Sequence, residues 1–449
     1  MTHLGLLSSL FSCRWRGGLG DACLPERHPA WHPERAWSLR HTRAGAAAAA
    51  LSLALVTGMA AAQPAVVDEY TEPATFPACL AGLLDKAERS GVSADTRAGI
   101  IPELRWLPDV IAKDRRQPEF TLSFDRYFSR ALNEQRVREG RRHYAEQREL
   151  LAELEQRFGV PGPYLVSFWG LETNYGSYLG TTPSLDALAT LACDTRRSRY
   201  FESELLAALQ VIDRHQLRPS DLRGSWAGAL GQVQFMPSNY QRYGRDGDGD
   251  GRVDLFGSIP DALTSAAHFL NQLGWLPDQR WGREVRLPDG FDYALADGKT
   301  TRPLLRWREL GLRQANGGPL PVADFEAALH VPGGHRGAAF LTYQNFAVTK
   351  RWNNSNFYAL AVGHLADRIA GAGPLVRMPT GEAPVLRIET VKAAQEQLNA
   401  LGYTLGPADG IVGPGTRGAI RAFQSDRELI PDGHLDATLL DALGIMLPQ

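Results

Sequence analysis

The sequence predicts a mainly α protein in two globular parts, a large helical domain and a small module of three short helices. Three observations carry this reading. The chain has 449 residues, 44% hydrophobic and 22% charged, which allows two or three domains with real cores. Long stretches of good helix formers place apolar residues at helical spacing, as Leu150, Leu151, Leu154 and Phe158 do. Gly371-Ala372-Gly373-Pro374 and Pro379-Thr380-Gly381 then break the pattern as a linker does. The expected boundaries are 1–62 for a leader, 63–372 for the large domain, 373–385 for the linker and 386–449 for the module.

The leader comes first. Arg35, Arg40 and Arg43 precede an apolar, alanine-rich run from Ala44 to Ala62 that ends in small residues suited to cleavage. The run is too rich in alanine to anchor well, and no cysteine follows it for lipidation. The mature chain is therefore expected outside the cytoplasm, exported by a cleavable signal peptide and without an integral membrane segment. The formal net charge is -2, which argues against a nucleic-acid partner held by bulk electrostatics. Beyond the leader only Cys79 and Cys193 remain. An even pair in an exported chain reads as a disulfide, the alternative being two buried thiols.

In the large domain, helical patterning runs from Arg126 to Phe158 and stops at Gly159-Val160-Pro161-Gly162. Pro163 opens the next helix, which reaches Glu172. Further helices are expected over Tyr200–His215, from Pro260 to Leu273, and over Asn356–Arg368. Arg283 to Leu320 carries Gly, Pro and Asp clusters and reads as loops with a small sheet.

Two segments suggest chemistry. Glu172 follows Phe168, Trp169 and Leu171 and stands just before Gly176. A carboxyl beside large apolar groups loses solvation, which raises its pKa toward the range a general acid needs. A surface glutamate at a helix end is the plainer alternative. Downstream, Gly224 to Ser238 gathers glycines and small residues with Ser225, Trp226 and Gln234. That is poor helix and poor strand. It suits either a structural turn or a loop that lets a ligand approach the backbone, with polar groups for sugar hydroxyls.

A third segment, Asp246-Gly247-Asp248-Gly249-Asp250-Gly251, matches the start of a calcium loop. Gly257 stands at the twelfth place, where such a loop has glutamate, and Asp261 could close the site instead. An Asp-Gly turn without metal is the alternative. Calcium here would be structural, and no cofactor is expected for the chemistry.

These segments, in this order, resemble the lytic murein transglycosylases of the membrane-bound B type, which have a lysozyme-like fold. The resemblance spans Phe76 to Arg368 and includes Phe76-Pro77-Ala78-Cys79-Leu80, Glu172-Thr173-Asn174-Tyr175-Gly176, Asn345-Phe346 and Trp352-Asn353. It implies that Glu172 is a single catalytic acid/base and that Ser225 and Gln234 line a glycan cleft. It implies that Asn353 lies near the reacting sugar, with Tyr343 and Asn345 expected in the same wall. Trp352 stands where some relatives have tyrosine, which keeps an aromatic contact there and departs from the pattern at the hydroxyl. Ordinary glycosidases pair two carboxylates; Asp186 and Asp194 are the other acids near Glu172 in sequence, and nothing around them favours either.

The C-terminal module carries Leu401-Gly402-Tyr403, Asp409-Gly410-Ile411-Val412-Gly413 and Ala422-Phe423-Gln424 in order. It resembles the three-helix peptidoglycan-binding domain of wall enzymes. The transglycosylase resemblance of the large domain implies cleavage between N-acetylmuramic acid and N-acetylglucosamine with 1,6-anhydro ends. A hydrolytic muramidase and an inactive wall-binding scaffold are the rival readings. The implied partners are peptidoglycan strands and proteins of wall synthesis or remodelling, and the implied place is the periplasm, against the wall.

Overall fold

Helices begin where side chains cap them. In the computed structural model, which describes residues 71–116, 122–377 and 386–446, Ser93, Ser123, Asn133, Ser258 and Ser355 each accept an N–H from the first turn of the helix that follows. Such caps satisfy donors that the helix leaves unpaired. The expected leader and residues 378–385 of the expected linker lie outside the described residues.

The stretch read as one pattern from Arg126 to Phe158 is three helices, Phe124–Ala131, Glu134–Glu146 and Arg148–Phe158. Asn133 restarts the chain after Leu132 leaves helical geometry, and Gln147 breaks it again. Gly159, at φ 73°, ends the third helix in the left-handed region.

The helix Gly162–Thr173 is the centre of the large domain. It is apolar nearly all round, with Leu165, Val166 and Phe168 fully buried and Trp169 almost so, as a helix enclosed by others must be. It packs on Asn356–Ile369, and Ser167 Oγ donates to the Val362 carbonyl at 2.7 Å. Cys79, on the helix Phe76–Arg89, is bonded to Cys193 at the end of Ser184–Ala192. This disulfide spans 114 residues, and closing so long a loop in the unfolded chain stabilises the fold by roughly 2–5 kcal/mol.

The small sheet expected within 283–320 is larger than that. Five short antiparallel strands lie in the order Arg302–Pro303, Glu326–His330, Ala339–Thr342, Gly282–Arg286 and Arg313–Gln314. Two strands have only two residues, and Ala339–Thr342 is buried on both faces, so no alternation marks them. This subdomain has its own core, with Leu304, Trp307, Leu329 and Leu341 fully buried.

The C-terminal module contains the helices Ile388–Ala400, Pro414–Asp426 and Ala437–Ala442 around Leu398, Ile420, Phe423 and Leu439. The third starts at its Asp436 cap, a few residues after Pro431-Asp432-Gly433. The module lies against the large domain. Asp432 Oδ2 accepts the His335 backbone N–H at 2.9 Å and faces His335 Nδ1 at 2.7 Å, while Arg421 Nη2 donates to the Ala296 carbonyl at 2.9 Å. Among the described residues no helix is long and apolar enough to cross a membrane.

Candidate active site

Glu172 sits in the last turn of the central helix, where aligned carbonyl dipoles disfavour a negative charge. The chain leaves that helix through three consecutive left-handed residues, Asn174 (φ 50°), Tyr175 (φ 61°) and Gly176 (φ 76°). Two of these are not glycine, so the surroundings must hold them there. Tyr175 is anchored by its hydroxyl, which donates to the Arg136 carbonyl at 2.6 Å. Thr173 Oγ1 accepts the Gly176 N–H at 3.0 Å and donates to the Gln232 carbonyl at 2.7 Å. The turn after Glu172 is therefore bolted to the glycine-rich block.

Burial raises the Glu172 pKa to about 7. Two hydrogen bonds oppose that rise, both to Oε1: one from the Tyr358 hydroxyl and one from Trp352 Nε1 at 3.0 Å. The residue as a whole keeps some surface toward solvent. Its carboxyl is thus crowded by protein yet reachable. No charged side chain contributes to the shift. Asp186 and Asp194 are engaged elsewhere: Asp186 accepts the Arg105 N–H at 3.1 Å, and Asp194 pairs with Arg115 at 2.6 Å. Glu172 stands without a carboxylate partner among the described residues.

Trp352 ends the helix Gln344–Trp352. Its ring is wedged among Phe168, Phe235 and Phe269, with centroids 4.4, 5.3 and 5.2 Å away. That packing fixes the direction of the indole N–H. The donor that a tyrosine hydroxyl would offer is supplied here by indole nitrogen. Tyr358, buried in the first turn of Asn356–Ile369, was not legible as a site residue. Burial and the neighbouring Glu172 carboxyl push its pKa well above the usual tyrosine value, so it stays a donor.

The glycine-rich block forms turns and isolated bridges, Gly224 to Leu230 and Leu230 to Phe235, beside the two-residue pairing of Thr182–Pro183 with Arg223–Gly224. A Cβ on Gly180 would overlap the Gly224 carbonyl, so the loop after Glu172 and the block approach as closely as backbones can. Ser225 Oγ accepts the Ala229 N–H at 3.0 Å. Gln234, at φ 47°, donates its amide N–H groups to the carbonyls of Leu179 at 3.0 Å and Gly231 at 2.9 Å. Because both partners are acceptors, the amide orientation is fixed.

The other residues expected in the cleft separate. Asn353 is exposed immediately after Trp352. Asn345 is fully buried; its amide accepts the Leu276 N–H at 2.8 Å and donates to the carbonyls of Leu276 and Gln279. Its polar atoms are spent on a loop. Tyr343 is buried in the core of the sheet subdomain, and its hydroxyl accepts from Arg283 Nε at 2.7 Å.

In the acidic loop, carboxylate oxygens of Asp246, Asp248 and Asp261 lie within 4.8 Å of one another. Asp250 is outside this group and accepts the Arg252 N–H at 2.8 Å. Asp261 is buried at the start of Ile259–Gln272, and its oxygens accept the N–H groups of Gly247 at 2.7 Å and Asp254 at 2.6 Å. A Cβ on Gly257 would lie 2.6 Å from Asp254 Oδ2, so a glutamate does not fit at this place unless Asp254 moves. The loop connects back to the site, because the Gln232 N–H donates to the Leu255 carbonyl at 2.8 Å.

The model of the transglycosylase SLT domain matches residues 75–367. The chain belongs to this family. The peptidoglycan binding domain model matches residues 387–443. The membrane-bound lytic murein transglycosylase B of Escherichia coli strain K12 is 32% identical over 251 residues, 55% of this chain and 67% of that protein. The structure of SltB3 from Pseudomonas aeruginosa in complex with NAG-anhNAM-pentapeptide superposes with a TM-score of 0.78 at 40% identity, covering 83% of this chain and 100% of that one. The Escherichia coli Slt35 structure in complex with calcium gives a TM-score of 0.56 at 28% identity, covering 65% and 92%. This SLT-family chain is a lytic transglycosylase, a lyase of peptidoglycan that needs no cofactor for its chemistry.

Proposed function

We propose that Glu172 alone carries proton transfer in both halves of the reaction. Its neutral carboxyl protonates the oxygen bridging N-acetylmuramic acid to N-acetylglucosamine as the C1–O bond breaks. The acetamido group of the muramoyl unit supports the positive charge that develops at C1. The Glu172 carboxylate, held by Tyr358 and Trp352, then takes the proton of the sugar's own C6 hydroxyl. O6 bonds to C1, a 1,6-anhydro end forms, and no water is consumed. A pKa near 7 suits a group that must both give and take a proton near neutral pH. The ring closure is intramolecular and needs positioning more than a strong nucleophile.

The observation that carries this reading is the isolated carboxyl with two fixed donors. Ser225 and Gln234 sit in the block bolted to Glu172, and Asn353 follows Trp352, so these three are assigned to the glycan cleft. Gln234 offers its amide oxygen, since its nitrogen is engaged. Tyr343 and Asn345 support the surrounding fold.

Asp246, Asp248 and Asp261 fit a structural calcium ion: three carboxylates converge, and among the described residues the buried Asp261 carboxylate is met by the backbone N–H groups of Gly247 and Asp254. The ion would pin the loop whose far end holds Gln232. The catalytic part is assigned to 63–372 and the wall-binding module to 386–449, and an exported, periplasmic chain fits this substrate.

The test is mass spectrometry of purified peptidoglycan digested by the parent and by Glu172→Gln. Anhydromuropeptides from the parent alone, with activity reduced at least about 1000-fold in the variant, are expected. Products heavier by one water would make the chain a muramidase. Equal activity of the variant would remove Glu172 from the chemistry.

A further inference from the structure

Two contacts already hold the C-terminal module to the large domain, Asp432 with His335 and Arg421 with the Ala296 carbonyl. A third contact has a different character. Arg417, on the module helix Pro414–Asp426, places its guanidinium carbon 6.0 Å from the centre of the Phe357 ring. Its hydrogen bond goes to a carbonyl of its own module, Gly433, at 3.4 Å. The charges that bear on it are Arg421 and Asp432, also of the module, and it bears in turn on the buried, neutral His330 of the sheet subdomain. Toward the large domain, then, Arg417 meets an aromatic face.

Phe357 immediately precedes Tyr358, the hydroxyl donor to Glu172. The other sides of Phe357 pack on Phe124 at 5.4 Å, edge to face, and on Tyr127 at 5.9 Å. Phe357 and Tyr358 share the first turn of their helix, which Ser355 caps through the Tyr358 N–H at 3.3 Å. With the cap fixed, a rotation of that turn moves both rings together, and a cation over the first ring is one of the contacts that oppose it.

We infer that Arg417 of the wall-binding module is a positioning residue for the transglycosylase site, acting through Phe357 on the Tyr358 hydroxyl that holds Glu172. The inference rests on the acid/base role proposed for Glu172. It makes the module part of the catalytic machinery as well as a wall anchor. The module would then raise turnover on substrate too short to need anchoring.

The experiment measures kcat, KM and the pH profile of the full chain on short soluble glycan strands bearing stem peptides, with retention on whole sacculi measured alongside. Arg417→Ala is expected to lower kcat by about two- to fivefold, the size a cation–π contact supports, with KM and sacculus retention nearly unchanged. Loss of the Tyr358 bond removes an interaction that favours the Glu172 carboxylate, so the alkaline limb of the profile moves to higher pH. Arg417→Lys restores most of kcat. Phe357→Leu gives the same changes without touching the module, and the double variant is no worse than the single ones. Additive losses, or a folded Arg417→Ala with unchanged kcat and pH limb, overturn the inference. Failure of the underlying reading is separate: it shows as activity in Glu172→Gln, whatever Arg417 does.

Discussion

Tyr358 and Trp352 both donate to the same oxygen of Glu172, and both bonds oppose the effect of burial. Without them the carboxyl would be a poorer acid, and the carboxylate left after the first proton transfer would be less stable. Tyr358→Phe removes one donor and keeps the ring. The alkaline limb of kcat, expected near pH 7 in the parent, should move upward, because protonation persists to higher pH once the ionised form loses support. A fall in kcat of about tenfold matches one buried hydrogen bond to a charged group. A limb that stays in place would show that the hydroxyl does not touch the titrating group. The desolvation of Glu172 was legible, since Phe168, Trp169 and Leu171 precede it, while its role came only with the family resemblance. Tyr358 was not. In Asn356-Phe357-Tyr358-Ala359-Leu360 it reads as one more apolar helix residue, and only the packing of two helices brings it to a carboxyl 186 residues earlier.

Helices were legible where their apolar stripe was long, as in Ser198–His215, which no side chain caps, and in Ile259–Gln272, which Ser258 caps. The sheet was half hidden because short strands buried on both faces carry no period. The acidic loop lies between these cases. Its Asp-Gly pattern was plain, and so was the nearness of Asp261 to it in the chain. That Asp250 turns back to cap Arg252 depends on the loop's actual path. The three converging carboxylates repel one another, and a divalent ion would relieve that repulsion. Millimolar calcium should therefore raise the melting temperature by about 3–8 °C, as saturation of one site does, and a chelator should reverse it. Asp261→Ala and Asp248→Ala should abolish the response, while Asp250→Ala keeps most of it. Calorimetry with each variant decides. An identical response in all three would place the ion elsewhere.

At the scale of the whole molecule, a glycine- and proline-rich boundary between two domains is compatible with a module free of the large domain. The contacts describe a docked module instead. The N–H groups of Val376 and Arg377, at the start of the expected linker, both donate to Glu284 at 2.8 Å. Asp432 is buried at the junction and accepts from Gln424 at 2.9 Å and from the His434 N–H at 2.8 Å, besides its bonds from His335. Burial alone would raise its pKa, but these hydrogen bonds outweigh burial and hold it below the ordinary 3.8. The sign follows from linkage. Asp432 contributes stability at every pH above its unfolded value, and that stability is lost as the pH falls through the folded one. Docking should thus hold from neutral pH to about pH 4 and loosen below it. Asp432→Ala should loosen it at every pH, costing about 2–4 kcal/mol because buried donors lose their partner. Small-angle scattering would register a larger radius of gyration, and amide exchange would quicken at Gly334 and His335. If the variant kept the parent's radius and protection at pH 7, the Asp432 contact would be incidental, and Arg421, Arg417 and the Glu284 clasp would have to hold the module.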